Sequence, residues 1–114
     1  MTDFNPLAML KLSIQMALLD ELMYNLYAVT CGIERQSWIR IVAYFDGPAN
    51  EEEVETISCV GTEVIASFPD GFRIEETCLD ATQTEPVCLD FWAFRRKRKP
   101  GHTSAERNRQ KALP

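Results

Sequence analysis

The clearest periodicity of apolar and polar positions lies between Asp46 and Gly71, in the stretch DGPANEEEVETISCVGTEVIASFPDG. Val54, Ile57, Gly61, Val64, Ile65 and Phe68 recur at steps of three and four, which makes one apolar helix face. Glu52, Glu55, Thr62 and Glu63 fall on the other side. Asn50 is a good N-cap, and Glu53 stands three residues later, where a capping-box carboxylate reaches back to the cap's N–H. Glu51, Glu52 and Glu53 fill the first turn, where the helix dipole favours negative charge. Pro69-Asp70-Gly71 closes the element, since neither Pro nor Gly continues a helix comfortably.

Ahead of this helix, Leu7 to Met23 carries two periods at once. Leu12, Ile14, Met16 and Leu18 alternate like a strand, while Met9, Leu12, Met16, Leu19 and Met23 step like a helix. The length, the Leu, Met and Ala content and the lack of Gly or Pro favour the helix. Leu26 to Glu34 then reads as a strand with Tyr27, Val29, Cys31 and Ile33 on one face. Residues 34–37 (ERQS) make a turn, and Trp38 to Phe45 is a second strand, rich in β-branched and aromatic residues. Its Ile39, Ile41, Ala43 and Phe45 alternate with Trp38, Arg40, Val42 and Tyr44. Two further strands are predicted at Phe72 to Asp80 and Val87 to Arg95, with turn composition between them.

The expected fold class is therefore α+β in the order αββαββ, an antiparallel four-stranded sheet with two helices on one face. The second face would carry Trp38, Tyr44, Trp92 and Phe94. It is either an interface or a second small core beneath the N-terminal segment. With 114 residues there is room for one domain and one core. Residues 3–96 are expected to form that domain and 97–114 a disordered tail, because periodicity ends at Arg96 and charge takes over.

Charge divides at the same place. Before Arg95 four basic residues face sixteen acidic ones, a net of −12; from Arg95 onward eight basic residues face only Glu106, a net of +7. An acidic body carries a basic tail, and such asymmetry bears on partners. No apolar run approaches the roughly 20 residues that span a bilayer, so no membrane association is expected. The start MTDFNPLAM places an acid where a secretory signal would carry bases, which points to the cytoplasm. Cys31, Cys59, Cys78 and Cys88 are too widely spaced for a zinc pattern and are expected as buried thiols outside any disulfide.

Little in the chain asks for catalysis. The single histidine, His102, lies in the tail, so no Ser-His or Cys-His relay is available in the body. No GxGxxG, GxxxxGK[ST] or HExxH occurs. Glu75-Glu76 is the nearest approach to a carboxylate pair, but neighbours on a strand point to opposite faces. No catalytic residue, metal, cofactor or small-molecule substrate is expected. What remains is an acidic binder of a basic protein, and a nuclease is such a partner because its groove is built to hold phosphates.

The blocks LKLSIQMALLDELMYNLYAVTC, IRIVAYFDG and EEEVETISCVGTEVIASFP resemble a widespread bacterial family of small immunity proteins, the antidotes of contact-dependent growth inhibition systems. The likeness runs from about Leu10 to Arg96, in order and with similar spacing. It departs at Asp20-Glu21 and Tyr24-Asn25, where relatives often have Gly-Glu and Pro-Asn, and the basic tail is additional. The resemblance implies neutralisation by tight binding to a cognate toxin domain, often a nuclease such as a tRNase, without catalysis. Contact residues vary with the toxin, so charge alone selects them here. Asp46, Glu51, Glu52, Glu53, Glu55, Glu63 and Asp70 would pair with toxin Lys or Arg, with Trp38 and Tyr44 as aromatic anchors at a sheet edge. The alternative is a nucleic-acid-associated regulator acting through the RRKRK cluster of the tail, although direct nucleic-acid binding is the weaker expectation.

Overall fold

The computed structural model describes residues 4–19, 21 and 23–97. Within them the chain forms helix α1 (Pro6–Leu19), strands β1 (Leu26–Glu34) and β2 (Trp38–Phe45), helix α2 (Glu51–Ile65), and strands β3 (Arg73–Asp80) and β4 (Phe91–Arg95). Residues 98–114, and with them most of the expected tail, lie outside the described residues.

α1 settles the ambiguity of the first segment as a helix, set off by local chemistry. Asn5 Oδ1 accepts from the Ala8 N–H at 3.1 Å, and Pro6 opens the helix where its missing N–H costs nothing. Its buried side is Leu10, Ser13, Ile14 and Ala17. The expected stripe of Leu12, Met16 and Leu19 instead faces solvent, and the helix stops at Leu19, short of Met23. The segment is apolar almost all round, so its pattern did not choose a face.

α2 follows its sequence closely. The Glu53 N–H donates to Asn50 Oδ1 at 2.7 Å and the Asn50 N–H donates to Glu53 Oε1 at 3.0 Å, a complete capping box. The buried face is Glu53, Ile57, Val60, Gly61 and Val64, which leaves Val54 exposed at the flank.

The sheet order is β3-β2-β1-β4. β1 is antiparallel to both β2 and β4, but β2 pairs with β3 in parallel, so the sheet is mixed and not antiparallel throughout. The reason is α2. A helical crossover leaves one end of β2 and returns the chain to the other, and the next strand then runs in the same direction. At the β1–β2 hairpin, Arg35 and Gln36 take positive φ of 53° and 68°, as a tight primed turn requires.

The main core lies between the helices and one sheet face, where Ile39, Ile41, Ala43 and Phe45 of β2 alternate inward as expected, joined by Val29 and Cys31 of β1. Tyr27 does not share that face. A bulge sets both Tyr27 and Ala28 against Tyr44, which turns Tyr27 to the opposite side. There Tyr27, Ala28, Val42 and Tyr44 build a second small cluster with Leu79, Ala81, Leu89 and Trp92. Its cover is not the N-terminal segment but the connection from Ala81 to Asp90, which crosses this face to bring β4 to the far edge.

That crossing shortens β4, which begins at Phe91 and not Val87. The connection is fastened across the sheet. The Leu89 N–H donates to Thr30 Oγ1 at 2.8 Å, the Thr30 hydroxyl donates to the Phe91 carbonyl at 2.8 Å, and the Val87 N–H donates to Tyr44 Oη at 3.1 Å. Gly32 lets it approach, since a Cβ there would stand 3.1 Å from Leu89 Cβ and from Asp90 Oδ2.

The cysteines divide. Cys31 is buried and its thiol is pushed up to about 12 by desolvation, Cys78 is half-buried, and Cys59 and Cys88 are exposed, contrary to the expectation of four buried thiols.

Candidate partner-binding site

The charge of α2 is one-sided. α2 contains Glu51, Glu52, Glu53, Glu55 and Glu63 and no basic residue. Four of these are exposed; Glu53 is not. Its carboxylate caps the helix and accepts a hydrogen bond from Asn25 Nδ2 at 3.3 Å, which ties α2 to the start of β1. Glu53 therefore leaves the exposed acid set assigned to it by sequence and serves as a structural residue.

The other expected acids spread along α2 and beyond both of its ends. Asp46, Glu51 and Glu52 sit where β2 hands over to α2, and the Asp46 N–H donates to the Asn25 carbonyl at 2.8 Å. Asp46 also lies 4.0 Å from the Arg96 guanidinium. Asp70 is exposed in the turn before β3, beyond the other end of α2. Glu63 stands near that end, about 18 Å along the helix from Glu51 at the usual rise per residue.

Trp38 and Tyr44 do not mark an edge, because β2 is an inner strand flanked by β1 and β3. Tyr44 is buried to 4% exposure beneath the β3–β4 connection, where its ring lies 6.5 Å from that of Trp92. It is a core aromatic and not a free anchor. Trp38 is half-buried and shares a surface hollow with Arg35, Arg73 and Glu75, so cations border it as well as an acid.

Glu75 and Glu76 do point to opposite faces. Glu75 Oε1 meets Arg40 Nε at 3.3 Å, whereas Glu76 lies under α2 against Gly61, where a Cβ would collide with its carboxylate. Desolvation, helped by the Glu75 charge, raises the Glu76 carboxyl above the usual glutamate value, although its own backbone hydrogen bond opposes this. Among the described residues no group of three or more His, Cys, Asp and Glu is placed to hold a metal ion.

The sequence reading missed the exposed apolar groups of α1, the helix that packs against α2. Leu12, Met16 and Leu19 project from α1 at 59%, 60% and 80% exposure, and Tyr24 follows at 81%. α1 ends and α2 begins at the same end of the sheet. There Tyr24 and Glu52 line one shallow cleft of about 320 Å³. The signal lies in the helical spacing of Leu12, Met16 and Leu19, which by itself marks a helix face without saying whether that face turns inward.

Compared with known proteins, residues 8–98 match the family model of the MafI2 immunity protein. No curated protein matches the chain. The resemblance to immunity proteins of contact-dependent growth inhibition is thus corrected in part: the match supports an immunity protein, but one of the MafI2 family rather than specifically of contact-dependent growth inhibition.

Proposed function

The chain belongs to the MafI2 immunity protein family, and we propose that it protects its own cell by binding and neutralising one cognate toxin domain. The observation that carries this reading is the family match, which spans 8–98 and so covers all six elements except the first two residues of α1. The partner of an immunity protein is a toxin protein. The finer reading is that this toxin domain is a cationic nuclease, for instance a tRNase, acting in the cytoplasm.

What supports the finer reading is the surface. Glu51, Glu52, Glu55 and Glu63 stand exposed on a helix without a single base. A groove that holds nucleic acid is positive, and such acids attract it over a distance before contact is made. Inhibition needs only occupancy of that groove or of a surface beside it, so no reactive group on this chain is called for. No helix among the described residues is long and apolar enough to cross a membrane.

The test is coexpression with the toxin domain encoded beside this chain. Growth should be restored at a one-to-one ratio of the two proteins, and the purified pair should co-elute with toxin activity suppressed. Loss of protection despite equal expression would remove the proposal. A toxin that leaves RNA and DNA intact would remove only its nuclease part.

A further inference from the structure

We propose that the exposed apolar stripe of α1, Leu12, Met16 and Leu19, together with the exposed Tyr24 beside Glu52, is the anchor of the toxin interface, with the acids of α2 as its guiding rim. This rests on the immunity reading above and names the surface through which it works.

A soluble helix normally turns its large apolar residues inward. α1 does so with Leu10 and Ile14, yet leaves three more on its outer side at steps of four and three, more than half exposed. That spacing forms one continuous ridge about two turns long. Such a ridge against solvent marks an interaction surface. Binding surfaces combine an apolar centre with a polar rim, and a few desolvated anchors, Tyr among the favoured types, dominate their energy.

The charges around the ridge select the occupant. α1 holds one charged residue, Lys11, and its ammonium lies 5.5 Å from the Phe91 ring centroid. α2 supplies only carboxylates. A second copy of this chain would bring the same acidic layer face to face with itself, at a repulsive cost. The chain's own segment 98–114 has the right charge but offers only Ala105, Ala112, Leu113 and two prolines as apolar groups, too few to cover the ridge. A cationic domain with an apolar recess satisfies both features, and that is the chemistry of the proposed toxin partner.

The experiment compares the full chain with L12A/M16A/L19A and with Met16→Lys in binding to the purified toxin domain. These side chains are exposed, so the melting temperature should stay close to that of the parent and serves as the folding control. The expected result is a Kd weakened at least a hundredfold in the triple variant, mainly through faster dissociation. Met16→Lys should weaken binding by a similar or greater factor, because it adds like charge to an apolar loss. If the parent binds and both variants stay within threefold of it, the ridge is not the anchor and the immunity reading survives. If the parent itself fails to bind any toxin domain from its own locus, the underlying reading fails instead. Should the parent sediment as a dimer that the triple variant dissolves, the ridge serves self-association and the inference is overturned.

Discussion

At the scale of single residues, the two half-engaged carboxylates of β3 pull stability in opposite directions with pH. Glu76 is desolvated beneath α2, and its folded pKa lies above that of the unfolded chain. The native state then holds more protons in that window, so stability falls as pH rises through it and is regained on mild acidification. Asp80 is the reverse case. Thr82 Oγ1 and the Thr82 and Gly47 N–H groups donate to its carboxylate, which holds it below the usual aspartate value. Its contribution is present at neutral pH and is lost as pH drops below the ordinary aspartate range. Thermal melts from pH 7 to pH 3 should show Glu76→Gln more stable than the parent at pH 7, with the gap closing toward pH 4. Asp80→Asn should be less stable at pH 7, with its deficit shrinking at pH 3. A second residue-level consequence concerns Glu53. Removing its capping carboxylate in Glu53→Ala also strands Asn25, so urea titration should record a loss of about 1–2 kcal/mol, the scale of a helix cap.

At the scale of elements, the connection from Ala81 to Asp90 closes the sheet face that the helices leave open. Thr30 is its central fastening, accepting from Leu89 and donating to Phe91 through one hydroxyl. Thr30→Val keeps the shape but leaves the Leu89 N–H without its partner on a covered face, a loss of about 1–3 kcal/mol. The measurable outcome is hydrogen exchange. The Leu89 amide should lose protection in Thr30→Val, while the Asp90 amide, held by the Cys31 carbonyl at 2.9 Å, and the α2 amides should change only by the global loss. Unaltered exchange at Leu89 would mean the connection is held elsewhere. This element also marks the limit of the sequence pattern. The capping box of α2 is written within four residues, and the alternation of β2 within eight, so both were legible. The direction of β3 and the course of residues 81–90 depend on contacts far apart in sequence. Val87 and Leu89 continue the alternation of β4 and so read as strand, although their N–H groups serve the side chains of Tyr44 and Thr30 and not the backbone of a neighbouring strand. For the candidate site, the acids of α2 were legible from composition. The outward turn of Leu12, Met16 and Leu19 was not, since α1 has apolar residues for either face.

At the scale of the whole molecule, attraction and grip lie on different residues, and binding kinetics separate them. Exposed acids act at long range, where their effect on encounter is strong and their contribution to the final complex is modest. Each is screened over roughly 8 Å at physiological salt. Replacing Glu51, Glu52, Glu55 and Glu63 together by Gln should therefore lower the association rate constant for a cationic toxin domain by about tenfold or more at low salt. Dissociation should change little. The difference from the parent should shrink as salt rises, because ions screen in the parent what the substitutions remove from the variant. Stability should hold, since Glu53 and Asn50 still cap α2. Stopped-flow mixing at two salt concentrations reads both rate constants directly. An association rate indifferent to both salt and the four substitutions would place the docking surface away from α2. A slow association in the quadruple variant, set beside fast dissociation in the α1 ridge variant, would assign steering to one helix and holding to the other.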